Sequence, residues 1–338
     1  MQAVSEPPPV TDETAPAHPR GRWAPTPSGL LHLGCARTAL VAWLSVRSAG
    51  GRFIWRVEDL DPPREVAGAA GAALDDLGWL GLDWDEGPDV GGPHAPYEQS
   101  SRADLYHAAL QRLADADRLF PCRRSRRELR ELARAPHGPY GPRTPPYPRR
   151  WRPARLAADW FARYAESHEA ALRFRVADEV VRFDDRLLGR QRQDVAATVG
   201  DFVLHRRDGL FAYQLAVVVD DLAMAIDEVV RGVDLLDSTG RQIQLLEALG
   251  GARPRYAHVP LLLDADGEKL SKRHDALTLR SLREQGVRPE QIVGLLAHGL
   301  GLRNTAAPVD ARALIDDFAW SRIPRDDVRL GRDLFTAS

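Results

Sequence analysis

Between Gly21 and Asp59 the chain strings together a short β-like start, a turn, an apolar helix and a second β-rich run. That order restricts its fold more than any other feature. The turn is Pro25–Gly29, followed by His32-Leu33-Gly34 and an apolar stretch from Ala36 to about Ser48. Gly50-Gly51 stops the stretch, as glycine does past a helix C-terminus. Phe53–Val57 then reads as a short strand ending at Glu58-Asp59. Strand, helix and strand at these lengths predict a βαβ unit and a parallel sheet. Open sheets of this kind take ligands outside the carboxyl ends of their strands, which puts Arg22–His32 and Glu58 on one rim.

A second α/β segment follows later. It has a helix over Tyr213–Asp221, a strand over Ile226–Val230 ending at Arg231, and a helix from Ser238 to Leu249 stopped by Gly250-Gly251. Tyr256–Leu263 reads as the last strand, and the alternation over Leu172–Leu188 as a hairpin. The expected divisions are a disordered tail over 1–20, a first sheet half over 21–118, and an inserted subdomain over 119–197. The second half covers 198–265, and 266–338 forms a loop and a mostly helical end. The tail holds five prolines and no signal-like apolar core. No fixed-period repeat is present.

Within the inserted part, residues 122–155 carry 11 arginines against two glutamates, and seven prolines, so a loop-rich basic surface is expected there. Net charge is only −2, so any nucleic-acid surface must be such a local patch. Two cysteines, Cys35 and Cys122, cannot make a disulfide framework and fit a reducing cytoplasm. No apolar run approaches the ~20 residues that span a bilayer.

Two short motifs carry chemistry. His32-Leu33-Gly34 opens a helix, where free N–H groups and the dipole attract phosphate; taken alone, H-x-G also describes an ordinary turn. Of 46 basic residues only Lys269 and Lys272 are lysine, within Lys269-Leu270-Ser271-Lys272-Arg273. Lysine is a compact point charge on a flexible stem, suited to a phosphate that moves during reaction, whereas arginine is a rigid fork. The bland reading of that segment is a solvated loop. Trp79 and Trp84 could stack on bases, but their apolar run favours packing; His94, His107, His168, His258 and His298 show no ligand spacing.

An H-x-G motif in the first half and K-L-S-K in the second resemble class I aminoacyl-tRNA synthetases. The resemblance narrows to the glutamyl subclass through Arg22-Trp23-Ala24-Pro25-Thr26-Pro27-Ser28-Gly29, His32–Ala39, Arg56–Arg64 and Gly200–Leu204, over about residues 20–300. It implies a Rossmann-type α/β catalytic domain with an inserted acceptor-type subdomain and a C-terminal helical stem-contact segment. It also implies ATP with Mg²⁺, held by His32, Gly34, Lys269, Ser271 and Lys272. Glutamate would be read by Arg22 and Arg231 through its carboxylates and by Glu58 through its ammonium, with Tyr213 hydrogen-bonding it and Thr26 lining the pocket. His32, Lys269 and Lys272 would carry the catalytic charge, with no protein nucleophile.

Only 65 residues follow Arg273. The chain therefore resembles the shorter paralogous family, the glutamyl-queuosine tRNA(Asp) synthetases, rather than full glutamyl-tRNA synthetases with their helical anticodon-binding region. The implied partners are L-glutamate and the tRNA(Asp) anticodon stem-loop, with no membrane, for a cytoplasmic monomer. Competing readings are a truncated enzyme charging tRNA(Glu), a non-catalytic RNA-binding paralogue, and a small-molecule nucleotidyltransferase. The paralogous family often has a C-x-C…Y-x-x-x-C zinc site. Here Cys122 and Tyr147 fit, but Arg124 and Trp151 occupy the other two positions, so the expectation is no zinc. Arg123, Arg124, Arg126 and Arg127 are instead expected to face the RNA backbone.

Overall fold

The computed structural model describes residues 18–125, 127–128, 145–167, 169–264, 266–267 and 277–329. Strand β1 (Arg20–Trp23) leads through the turn to helix α1 (Leu33–Ser48) and strand β2 (Arg52–Trp55). β1 and β2 pair in parallel, Arg22 opposite Ile54, so the expected βαβ unit forms. Helices α2 (Ala69–Trp79) and α3 (Ala103–Asp115) and strand β3 (Leu119–Cys122) follow, then α4 (Trp160–Ser167), β4 (Ala171–Phe174), β5 (Val181–Asp185), β6 (Gly189–Gln193) and β7 (Phe202–His205). The second α/β segment supplies α5 (Tyr213–Ala223), β8 (Glu228–Gly232), α6 (Thr239–Ala248), β9 (Arg255–Val259) and β10 (Leu262–Leu263).

The large sheet has the order β2-β1-β8-β9-β5-β6. Every pairing in it is parallel except β5 with β6. A smaller sheet, β3-β4-β7, is antiparallel. β1 lies so close to α1 that a Cβ on Gly21 would sit 2.4 Å from the Val46 side chain, so only glycine fits there. Trp43 and Trp55 are fully buried in the core between α1 and the sheet. Trp79 and Trp84 pack against that core, and Trp84 lies 5.1 Å from Trp55 between ring centres, so both are packing residues.

The expected hairpin over Leu172–Leu188 does not form. β4 pairs with β3 and β7 in the small sheet, while β5 turns back on β6 and joins the large sheet beside β9. Alternation reports that a segment is a strand but says nothing of its partner. The true turn is set by Asp185, whose carboxylate accepts the backbone N–H groups of Leu187 and Leu188, both at 3.0 Å. β5 and β6, which fall inside 119–197, thus belong to the large sheet. The expected helical end is also only partly helical among the described residues. Helices α7 (Leu279–Glu284) and α8 (Pro289–Gly299) give way to 3₁₀ turns and the short strand β11 (Val328–Arg329). Gly301, Pro308 and Pro324 punctuate that stretch and prevent a continuous helix.

Candidate active site

A cavity of about 580 Å³ opens at the carboxyl ends of β1 and β8. Its wall includes Arg22, Thr26, His32, Gly34, Glu58, Tyr213 and Arg231, seven residues singled out from two distant halves of the chain. Lys269, Ser271 and Lys272 lie outside the described residues, as does Arg126. Cys35, Thr38 and Arg64, which lie within the motif stretches but carry no expected role there, also line the wall, as does Asp234, which lies outside them.

The phosphate end is built by α1. His32 is its N-cap, with Nδ1 accepting the backbone N–H groups of Gly34 at 3.1 Å and Cys35 at 3.3 Å. A bare Nδ1 places the proton of the neutral ring on Nε2, which lies 3.3 Å from the Cys35 thiol. Gly34 is needed for this fold-back, because a Cβ there would touch the imidazole at 3.0 Å. From sequence, His32 is expected to be a direct phosphate donor; the structure adds that it also orders the helix terminus that would face the phosphate.

The opposite end is a buried ionic network. Arg22 and Arg56 both donate to Asp221, through Arg22 Nε at 3.2 Å and Arg56 Nη1 at 2.7 Å. Arg56 also reaches Glu58 at 3.4 Å. Beneath them Asp220 accepts from Arg102 (2.6 Å), Gln99 (2.7 Å) and Tyr106 (2.9 Å). Arg22, Arg56 and Arg102 therefore balance Glu58, Asp220 and Asp221. Arg22 is not the unencumbered fork the charge pattern suggested: Asp221 holds its Nε edge, leaving the two Nη groups for a ligand.

Burial pushes the Glu58 carboxyl above its ordinary range, with Arg56 and Arg22 opposing. Asp221 goes the other way: burial would raise it, but Arg22 and Arg56 hold it below the usual range. Burial, then Glu58, raises the Tyr213 phenol. Arg56, Asp220 and Asp221 join the site without having been expected there from sequence. Their signal was the pair Asp220-Asp221 inside the apolar run Leu215–Leu222, since buried carboxylates require buried cations.

In the inserted part, the four zinc-pattern positions do come together. Cys122 Sγ is 3.3 Å from the Tyr147 hydroxyl, which in turn donates to the Trp151 carbonyl at 3.3 Å. Arg124 stacks on the Trp151 ring at 5.0 Å and Arg173 on Tyr147 at 4.3 Å. A guanidinium and an indole cannot ligate zinc, so this donor set does not fit one. Among the described residues no group of three His, Cys, Asp or Glu could hold a metal. Arg123 and Arg124 are exposed and paired with Glu169 and Glu128; Arg127 is exposed.

Residues 19–323 match the family described as tRNA synthetases class I (E and Q), catalytic domain. The chain belongs to that family. Its relatives include the "Glutamyl-Q tRNA(Asp) synthetase" of Symbiobacterium thermophilum, 52% identical over 320 residues, covering 94% of this chain and 97% of the relative. The "Glutamate--tRNA ligase 2" of Acidithiobacillus ferrooxidans is 43% identical over 307 residues, or 90% of this chain but 63% of that protein. Among solved structures, the glutamate tRNA ligase from Elizabethkingia meningosepticum in complex with its amino acid superposes with a TM-score of 0.80 at 30% identity. That match covers 94% of this chain and 68% of that one. Membership in this class I family makes the chain an ATP-using ligase on the α/β catalytic domain of the synthetases. Among the described residues no helix is long and apolar enough to cross a membrane.

Proposed function

We propose that the protein activates L-glutamate with ATP and transfers the glutamyl group to queuosine in the anticodon loop of tRNA(Asp). The observation that carries the glutamate half is the cavity wall, where Arg22 and Arg231 offer donors for two carboxylates and Glu58 an acceptor for one ammonium. The acceptor half is supported by the named relative that this chain matches over 97% of its length.

In this reading the glutamate α-carboxylate attacks the α-phosphorus of ATP, the bond to the bridging oxygen breaks, and pyrophosphate leaves. A hydroxyl of the modified nucleoside then attacks the mixed anhydride, and AMP leaves with the electron pair. No protein nucleophile is required, so the chain contributes positioning and charge. Arg22, Glu58, Tyr213 and Arg231 orient the amino acid and Thr26 closes its side of the pocket. His32, Gly34, Ser271, Lys269 and Lys272 serve the triphosphate, and Mg²⁺ bound with ATP would neutralise charge on the leaving phosphates. Arg123, Arg124, Arg126 and Arg127 supply an RNA-facing surface with no zinc required, and the enzyme works as a cytoplasmic monomer.

The test is incubation with ATP, labelled glutamate, and tRNA(Asp) carrying or lacking queuosine. Label is expected on the modified RNA alone. Label on the 3′ end of tRNA(Glu) would instead establish a glutamyl-tRNA synthetase.

A further inference from the structure

Next to Arg231, and outside the cavity wall, stands a buried polar chain that the proposed reaction does not use. β8 and β9 run in parallel register with Arg231 opposite His258, and β5 flanks β9 with Asp185. His258 has no exposed surface and Asp185 almost none, and neither is part of the cavity wall. Asp185 Oδ2 is 2.5 Å from His258 Nδ1, and the same carboxylate is held by the N–H groups of Leu187, Leu188 and His258.

A carboxylate on Nδ1 puts the imidazole proton there and leaves Nε2 as a bare acceptor. Arg231 Nε donates to that nitrogen at 3.0 Å. Arg231 Nη1 donates to Gln242 Oε1 at 2.6 Å, and Nη2 to Thr239 Oγ1 at 2.8 Å. A guanidinium has five N–H groups. Three are spent on these partners, which leaves one on each Nη for a ligand.

We propose that Asp185 and His258 are positioning residues that lock the Arg231 guanidinium for a carboxylate of the amino-acid substrate. Burial, with the Arg231 charge assisting, lowers the His258 pKa against the pull of Asp185, so the ring stays neutral and keeps the acceptor that Arg231 Nε requires. Asp185 stays ionised despite its burial, chiefly through its bond to His258. A dyad that merely tied β5, β8 and β9 together would have no reason to end on a cavity-lining arginine. This inference rests on Arg231 reading the substrate, and the two claims separate in one experiment.

That experiment measures ATP–pyrophosphate exchange for the intact protein and for Arg231→Ala, His258→Leu, His258→Gln, Asp185→Asn and Arg231→Ala/His258→Leu. Replacing His258 by Leu is expected to raise the KM for glutamate roughly tenfold or more, the scale of a lost charge-assisted hydrogen bond, with the KM for ATP within about twofold. Glutamine at 258 restores an acceptor and most of the affinity. The double variant is no worse than Arg231→Ala. Should His258→Leu fail to fold, His258→Gln and Asp185→Asn decide, with the Asn variant raising only the glutamate KM. An unchanged glutamate KM in Asp185→Asn, equal shifts for both substrates, or full additivity with Arg231→Ala overturns the positioning role. An Arg231→Ala protein with an unchanged glutamate KM overturns the reading of Arg231 itself.

Discussion

Arginine is put to two opposite uses in this molecule. At the floor of the cavity, Arg22 and Arg56 are 5% and 0% exposed and share one carboxylate, Asp221. In the insertion, the side chains of Arg123 and Arg124 are 74% and 53% exposed and pair with Glu169 and Glu128, Arg124 also lying over the Trp151 ring. The same guanidinium is immobile in one place and easily re-partnered in the other. Low dielectric strengthens each bond in the buried network and makes any missing partner expensive, so that network fixes geometry. Water and salt screen the surface pairs, so an incoming phosphate can displace their glutamates.

The contrast breaks most readily at Asp221. Asp221→Ala takes the shared acceptor from Arg22 and Arg56 and leaves the buried network one positive charge in excess, a change that typically costs about 3–5 kcal/mol. Denaturant melting is expected to show that loss, and a variant as stable as the parent would mean the network is not what holds the cavity floor. Arg123→Ala, which removes an exposed ion pair with Glu169, is expected to leave melting unchanged.

Glu58 sharpens the buried side through pH. Binding an ammonium needs the ionised carboxyl, and burial raises its pKa. As pH falls toward that raised value the site fills with protons and the KM for glutamate climbs. The rise starts at a higher pH than for a solvated carboxylate. Glu58→Gln is expected to have a glutamate KM about 10- to 100-fold higher, the range for a lost bond between charged groups, and a flat acid limb. A persistent acid limb in that variant would assign the titration to another group.

On the exposed side, changing Arg123, Arg124, Arg126 and Arg127 together to alanine should leave pyrophosphate exchange intact. It should flatten the log–log salt dependence of tRNA binding by roughly 0.7 for each single-stranded phosphate that is no longer neutralised. An unchanged slope removes the insertion from RNA binding.

The smallest effect concerns a buried acid on which Arg280 and Arg283 act without outweighing burial. Asp76 is 2% exposed, its Oδ2 has no hydrogen-bond partner among the described residues, and burial lifts its pKa to about 6. The unfolded value is near 3.9. The folded state thus holds this proton more tightly, so ionising it costs stability. That cost is complete above about pH 6 and gone below about 4. Asp76→Asn should raise Tm by a few degrees at about pH 7.5 and leave it unchanged at about pH 3.5; equal shifts at both pH values would contradict the sign.

What could be read beforehand follows the same division. The βαβ order, the glycine stops and the rim holding Arg22, His32 and Glu58 are local properties, written in short stretches of apolar period and turn chemistry. Tyr213 and Arg231 came from motif resemblance, and the fold then brought them to the cavity. The partners of those residues were not legible, because Asp221 meets Arg22 across 199 residues of chain and His258 meets Asp185 across 73. Strand pairing failed for the same reason: alternation marks Leu172–Phe174 and Val181–Asp185 as strands, but their neighbours are set by contacts made only in the folded chain.

The central claim is that the buried arginines select a substrate with two carboxylates and one ammonium. Pyrophosphate exchange into ATP, run without tRNA on glutamate, glutamine and aspartate side by side, tests it most directly. Exchange is expected with glutamate, with little from the other two, and Arg231→Ala should lose it. Equal exchange with glutamine, or full activity in Arg231→Ala, would contradict the account.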